Sequence, residues 1–479
     1  MSINPVRVRF APSPTGIMHL GNVRAALINY LFARQKGGTF ILRIEDTDTA
    51  RNISHLSQKI IDDLAWLGLN YDEGPEKNGI YAPYYQSERT EIYKKHLKQL
   101  EDNHQVYRCF CTVEELEKKR QRQIALKQPP RYDRTCANLT HDQIAQKLND
   151  KIPFIWRFKL DQTQKIHFYD LAHKEMYFDL ANFADFPLTR QDGSFTFIFA
   201  NFVDDMTMKI SHVFRGEDHL TNTACQVALY NAFNAPVPVF WHLPIIGNAQ
   251  GKKLSKRDFG FSLDDLKNAG FLPQAICNYL SIIGGSFEKE IMSLEELIRT
   301  LNFEAIASTS KIRYDTEKLK WVNHNWIKKM DPEDLLRSTR SLIEKEFAQS
   351  KLMKDSQLIE LIKYIQPELF TLNDVPQLIK FYFFRPEINK EMLHEFNLEK
   401  LSLIIEEIEK NQKIKNSQEL IETLIASAKL QQIPNKDLYH VIRLLLFGSS
   451  NGPSIKDLAN LLGLKETKER LFVIRNYTS

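Results

Sequence analysis

The sequence predicts an α/β fold built on a parallel sheet, followed by an all-helical C-terminal region. Three observations predict it. A strand, a helix and a second strand follow one another within residues 6–44. A sheet-like rhythm is interrupted near residue 86 and returns near residue 191. Beyond about residue 330 only Gly448, Gly452 and Gly463 of the 18 glycines remain, with no Trp and no Cys.

In the first segment, Val6, Val8 and Phe10 alternate with Arg7 and Arg9, the period of a strand. Pro12, Pro14 and Gly16 end it in a turn. Val23, Ala26, Leu27, Tyr30 and Leu31 then mark one buried helix face. Gly37-Gly38 stops that helix, and Phe40–Ile44 reads as the next strand. A βαβ unit of this length implies parallel strands and a right-handed crossover. Ligands of such sheets sit beyond the carboxyl ends of the strands, where the 11–22 loop falls. A helix N-terminus there offers free N–H groups to phosphate. Gly21 admits a base close to the backbone, and His19 in His19-Leu20-Gly21-Asn22 can donate a hydrogen bond to phosphate oxygens. The plainer reading is that His19 caps the helix and Gly21 turns the chain.

A second signal lies far downstream. Lys252-Lys253-Leu254-Ser255-Lys256-Arg257 follows Gly251. A loop carrying Lys253 and Lys256 is suited to closing over a triphosphate and neutralising charge that develops on it. Taken alone it is an ordinary solvated charge run.

Between the two, Phe195–Phe202 is strand-like and Thr223–Phe233 helix-like. Beyond residue 330, Leu358–Ile365, Leu401–Ile408 and Leu420–Leu430 carry helical patterning. The chain of 479 residues is long enough for several domains, and 43% hydrophobic content is ample for packed cores. The net charge of +4 is nearly balanced, so any nucleic-acid footprint must be local. Residues 117–134 are one candidate, with Lys118, Lys119, Arg120, Arg122, Lys127, Arg131 and Arg134 against Glu117 and Asp133; a solvated helix face is the alternative. No apolar run reaches transmembrane length and the N-terminal residues form no signal pattern, so a soluble, cytoplasmic protein is expected. Three of five cysteines cluster, Cys109, Cys111 and Cys136, in a spacing that suits Zn²⁺ with a fourth ligand still to be supplied. Three free thiols are the alternative. Cys225 and Cys277 read as core.

Arg9–Gly16, Leu42–Asp48, Tyr84–Arg89, Val203–Asp205, Phe214–His219 and Gly251–Arg257 together resemble the bacterial glutamyl-tRNA synthetase family, in the family's order and over most of the chain. The resemblance implies a class I synthetase: a Rossmann-like nucleotide-binding domain with a connective insertion, then an all-α anticodon-binding region. It divides the chain into a first catalytic half (1–85), an acceptor-binding insertion with the zinc site (86–190), a second catalytic half (191–255), a stem-contact region opening on the basic loop (256–325) and the anticodon-binding region (326–479). The related glutaminyl enzymes carry β-barrels at that end, which the glycine-poor tail argues against.

The implied activity is ATP-dependent ligation of L-glutamate to the 3′ end of tRNA-Glu through a glutamyl-adenylate, with ATP bound as its Mg²⁺ complex. The alternatives are an enzyme that also or only charges tRNA-Gln, and a silent RNA-binding paralogue. His19, Lys253 and Lys256 fall on the family's catalytic positions. The glutamate pocket falls on Arg9, Ala11, Ser13, Glu45, Asn201 and Arg215. Guanidinium groups suit a side-chain carboxylate, and Glu45 suits the substrate ammonium. Arg9 as an exposed strand residue, and Arg215 ion-paired to Glu217 or Asp218, are the structural alternatives. The ATP side falls on Ser13, His19, Gly21, Asp218, Lys253 and Lys256, and Asp48 lies at a position expected near the tRNA 3′ end. The resemblance adds Tyr132 to Cys109, Cys111 and Cys136 as a zinc ligand, with His141 or water as other fourth ligands. It suggests a monomer. Phe197 departs from the family, which usually carries Tyr there.

Overall fold

The protein is described by a computed structural model covering residues 5–14, 17–47, 53–77, 79–285, 287–306, 311–388, 390–393, 396–410 and 414–477. The chain forms two compact units, Met1–Leu266 with Ile276–Thr316, and Lys267–Ala275 with Glu317–Ser479.

In the first unit, β1 (Arg7–Phe10) and β2 (Thr39–Leu42) pair in parallel, from Arg7↔Thr39 to Phe10↔Leu42, with α1 (Leu20–Gln35) as the crossover. Gly37 follows the helix cap with φ 61°, a left-handed position that glycine takes without strain. At Gly38 a Cβ would meet the Val6 carbonyl oxygen at 2.4 Å, so only glycine lets the two strands close. Helix α1 is buried on more than the predicted face. Arg24, Ile28, Asn29 and Phe32 are buried as well, because Phe32 meets Phe214 at 4.9 Å and Phe303 at 5.1 Å. Strand β1 likewise has no exposed charged face. Arg7 is held by Glu73 at 2.8 Å and Arg9 by Asp205 at 3.1 Å; paired charges replace solvation.

Next come α2 (Ile53–Trp66), α3 (Thr90–Asp102), β3 (Val106–Cys109), α4 (Val113–Ala125), α5 (His141–Asn149) and β4 (Ile155–Phe158), with β3 and β4 antiparallel. The basic stretch begins on α4 and is partly committed within the protein. Lys119 pairs with Asp133, Arg134 with Asp185, and Arg131 donates to the Ala181 carbonyl. The chain then runs through β5 (Lys165–Asp170), β6 (Lys174–Asp179), α6 (Phe197–Thr207), β7 (His212–Gly216), α7 (Leu220–Ala232) and β8 (Val239–Leu243). The strands form a sheet in the order β6-β5-β8-β7, with β7, β8 and β5 parallel and β6 antiparallel. Ser211 N–H donates to the Arg7 carbonyl at 2.9 Å, setting β1 beside the start of β7.

Residues 195–202, expected as a strand, turn into α6 instead. A short run of aromatic residues does not separate strand from buried helix by its period. Here Phe199, Phe202 and Val203 pack at helical spacing, each 0% exposed. The helix also carries Asp204 and Asp205 inward to buried arginines.

The second unit is built of helices, among them Pro332–Glu346, Asp355–Ile365, Val375–Phe383, Leu398–Lys410, Ser417–Leu430, Asn435–Phe447 and Ile455–Phe472. No strand occurs among its described residues, which is the helical tail the sequence predicts. Its short outlying segment is tied in by Leu272 N–H to Asn323 at 2.8 Å and by Asn373 to the Asn268 carbonyl at 2.7 Å. Among the described residues, no helix is long and apolar enough to cross a membrane.

Candidate active site

A cavity of about 490 Å³ opens at the carboxyl ends of β1, β7 and β8. Arg9 and Ala11 line it from β1, His19 and Gly21 from the start of α1, and Phe197 and Asn201 from α6. Arg215, Asp218 and His219 line it from the end of β7, and Lys253 and Lys256 from the basic loop. Both nucleotide signals, far apart in sequence, therefore meet at one place. Ser13 is exposed and Glu45 is buried; neither is part of the lining. Asp48 lies outside the described residues.

His19 caps its helix and keeps one ring nitrogen free to donate. Its Nδ1 accepts from Asn22 N–H at 3.3 Å, capping α1. An accepting Nδ1 leaves the proton on Nε2, so the neutral ring retains a donor. Burial, then the Lys253 ammonium, hold its pKa below the usual histidine value, with Asp218 opposing. A Cβ at Gly21 would lie 3.0 Å from the His19 ring, so the glycine leaves the ring its place.

The basic loop is anchored at both ends. Leu254 is buried and its N–H donates to the Ile246 carbonyl at 3.0 Å. Asn248 accepts from Gln250 and Lys252 N–H, and Asp258 from Ser255 N–H and Oγ. Lys253 and Lys256 are left exposed on it. Lys253 Nζ lies 3.2 Å from Asp218. Burial works to raise the Asp218 pKa, but Lys253, His219 and a backbone hydrogen bond together hold the carboxyl low.

The inner wall is a continuous polar chain. Arg215 Nη2 donates to Thr223 at 2.6 Å and to Gln226 Oε1 at 2.7 Å. Gln226 donates to Asn201, Asn201 to Glu45, and Arg43 to both Glu45 and Asp205. Asp205 also holds Arg9, while Asp204 holds Arg89 and accepts from Tyr93. Burial favours neutral carboxyls here; Arg9 and Arg43 overcome it at Asp205, whereas at Glu45 burial prevails and the pKa rises.

Four buried guanidinium groups (Arg9, Arg43, Arg89 and Arg215) face three buried carboxyls, Glu45, Asp204 and Asp205. The surplus falls on Arg215, which pairs with neither Glu217 nor Asp218. Its Nε and Nη1 have no partner, and burial beside Arg9 pushes its pKa down to about 9. A buried cation with open donors is built to receive an anion.

Arg24 was not legible as a site residue. It lines the same cavity, is 1% exposed, and its Nη1 and Nη2 have no partner. Burial lowers its pKa to about 10. The signal in the sequence is a lone arginine beside Val23, on a helix otherwise apolar at that height. Phe197 faces the cavity with no hydroxyl to offer, its ring 5.3 Å from His219.

Away from the cavity, Cys109, Cys111 and Cys136 place their sulfurs within 4.8 Å of one another, a group that could hold a metal ion. The Tyr132 hydroxyl lies 3.3 Å from Cys109 Sγ and 3.8 Å from Cys111 Sγ. Four ligands about 2.3 Å from a tetrahedral Zn²⁺ lie about 3.8 Å apart, and Cys111 and Cys136 are separated by 3.6 Å. The three thiols and their spacing fit, with the Tyr132 hydroxyl beside them.

Residues 5–321 match the family of class I tRNA synthetases (E and Q), catalytic domain, and residues 314–474 an anticodon binding domain. A glutamate–tRNA ligase of Bacillus licheniformis is 37% identical over 98% of this chain and 99% of its own. Glutamate–tRNA ligase 1 of Pseudothermotoga lettingae is 38% identical over 97% of this chain and 99% of its own. A solved glutamate tRNA ligase from Elizabethkingia meningosepticum, in complex with its amino acid, superposes with a TM-score of 0.89 at 32% identity, covering 99% and 100% of the two chains.

Proposed function

The chain belongs to the class I tRNA synthetases of the E and Q type, and from that membership we infer an ATP-dependent ligase that joins L-glutamate to tRNA-Glu. The observation that carries the substrate is the open guanidinium of Arg215, in one cavity with His19, Lys253 and Lys256.

Arg215 receives the side-chain carboxylate of glutamate, which balances its own unpaired guanidinium. Arg9 and Ala11 bound the same pocket, and Asn201 offers polar contact with Glu45 fixed behind it. Ser13, exposed on the loop after β1, is assigned to both substrates. ATP enters as its Mg²⁺ complex, with the base against Gly21 and the phosphates toward His19 Nε2–H, Lys253 and Lys256. Asp218 holds Lys253 until the triphosphate displaces it. The α-carboxylate of glutamate attacks the α-phosphorus; the bond to the bridging oxygen breaks, and pyrophosphate leaves with that electron pair. The lysines and His19 stabilise charge that grows along this path. A terminal ribose hydroxyl of tRNA then attacks the acyl carbon, gives up its proton and expels AMP. Little covalent work falls to the protein; positioning and electrostatics supply the rate.

The insertion (residues 86–190) is assigned to the acceptor end of tRNA and the tail from 326 to the anticodon. Cys109, Cys111, Cys136 and Tyr132 are assigned to one Zn²⁺, which would tie the end of β3 to the 132–136 turn. Metal analysis of fresh, reduced protein should find close to one zinc per chain; none would remove this assignment.

The function is tested by charging purified tRNA-Glu and tRNA-Gln side by side with labelled glutamate. Charging of tRNA-Glu alone supports the reading. Charging of both replaces it with a non-discriminating enzyme, and charging of tRNA-Gln only with a tRNA-Gln-directed one. Charging of neither overturns the ligase.

A further inference from the structure

Arg215 is backed by a second buried chain that none of the residues assigned above explains. His242, on β8, is 1% exposed, and Asp170, at the end of β5, is 0% exposed. Asp170 Oδ2 lies 2.7 Å from His242 Nδ1 and accepts from His242 N–H at 3.0 Å. Asp170 Oδ1 accepts from the N–H groups of Ala172 and His173. On its other side, His242 Nε2 lies 2.6 Å from Thr223 Oγ1, and Thr223 Oγ1 accepts from Arg215 Nη2 at 2.6 Å.

These contacts have one consistent polarity. Asp170, acceptor to three backbone N–H groups and a ring nitrogen, is held as a carboxylate. It therefore takes the Nδ1 proton of His242, which leaves Nε2 as an acceptor. The Thr223 hydroxyl has two acceptors in reach, His242 Nε2 at 2.6 Å and the His219 carbonyl at 3.2 Å; its proton goes to the nearer, Nε2, which leaves the oxygen lone pairs for the guanidinium. The neutral ring agrees with its burial, which lowers its pKa against the pull of Asp170 and beside the Arg215 charge.

We propose that Asp170, His242 and Thr223 are positioning residues that set the orientation of Arg215, and so the affinity of the cavity for a side-chain carboxylate. The proposal rests on the reading of Arg215 as the carboxylate receptor. Without Thr223, Nη2 keeps only Gln226, and the guanidinium swings on its long stem. A chain of three buried polar groups ending on a cation that keeps two donors open is poorly explained as packing. An apolar trio of the same volume would fill the space at lower cost.

The test compares Thr223→Val, Thr223→Ser and Arg215→Met in the full-length protein, as glutamate KM, ATP KM and kcat in tRNA charging. Thr223→Val should raise the glutamate KM about tenfold, with ATP KM and kcat within about twofold. Thr223→Ser should restore the wild-type value. In the Arg215→Met background, Thr223→Val should cost nothing more in kcat/KM for glutamate, because the chain then has nothing to orient. His242→Asn, which keeps the Asp170 bond and loses the Thr223 bond, should shift glutamate KM the same way, and it stands in if Thr223→Val does not fold. An unchanged glutamate KM in Thr223→Val, with Arg215→Met impaired, overturns the positioning role and leaves the Arg215 reading intact. Unchanged KM in both overturns the reading itself. A parallel rise in both KM values with a lowered kcat assigns the chain to stability alone and overturns the proposal.

Discussion

Replacing Arg215 with Met should make the substrate-free protein more stable while abolishing its response to glutamate. Two buried donors of a charged guanidinium, Nε and Nη1, are unpaired. Leaving such groups unmade costs about 1–3 kcal/mol each. Burial, then proximity to Arg9, pushes the pKa from the usual arginine value down to about 9, which corresponds to a cost on the order of 5 kcal/mol. The two routes agree. Methionine keeps the volume of the stem and removes the charge. It forfeits the hydrogen bonds to Thr223 and Gln226, about 1 kcal/mol each, and leaves Gln226 Oε1 without that donor. The balance is a stabilisation of roughly 2 kcal/mol, a rise of a few degrees in Tm for a unit of this size. Glutamate at a hundred times its Kd should add about 2.7 kcal/mol to the wild type and nothing to the variant. Calorimetric unfolding with and without glutamate measures both. A variant that unfolds well below wild type without glutamate, yet is still stabilised by it, would refute the open-receptor argument.

Lys256→Ala should lower the rate of adenylate formation by about 10²–10³-fold and leave the glutamate KM within a few-fold, since its contact forms as charge develops; equal turnover would remove Lys256 from the reaction. For His19, the form whose Nδ1 accepts from Asn22 N–H while Nε2 donates is the neutral ring, present above the folded-state pKa. Burial and Lys253 hold that pKa below 6.5, so His19→Asn should lose the same factor at pH 8 and at pH 6.5; a loss that changes between these two pH values would mean the ring is already charging. Phe197→Tyr places a hydroxyl in the cavity, and one added hydrogen bond of about 1 kcal/mol should lower the glutamate KM about fivefold; an unchanged or raised KM shows that the site is closed around phenylalanine.

The βαβ start was legible because glycine, proline and two different periodicities each spoke for a different element. The pairing of His19 with Lys253 and Lys256 was legible as two weak signals in one chain. What the sequence hid was burial. Alternation in Val6–Phe10 reads as a half-exposed strand, yet Arg9 is 3% exposed and Arg7 8%. Nothing local tells Arg9 that Asp205 lies across the unit to meet it. The same applies to Phe195–Phe202. Whether it became a strand or α6 was settled by where Asp204 and Asp205 had to reach, and that is tertiary information. Asp170, Thr223 and His242 were silent for the same reason, since they fall on three separate elements with no common spacing.

The order in which the chain is made bears on how the two units come to exist. Residues 276–316 belong to the first unit and 267–275 to the second, so the chain visits the second unit briefly, returns, and then completes it. During synthesis Leu272 emerges before Asn323, and Asn268 before Asn373, the partners that hold them. The first unit cannot close until residue 316 has been made, and the early segment must wait, unsatisfied, for the helices that follow. Cutting the gene at the family boundary near residue 321 would therefore yield an N-terminal fragment bearing a stray piece of its neighbour and a C-terminal fragment lacking one of its own.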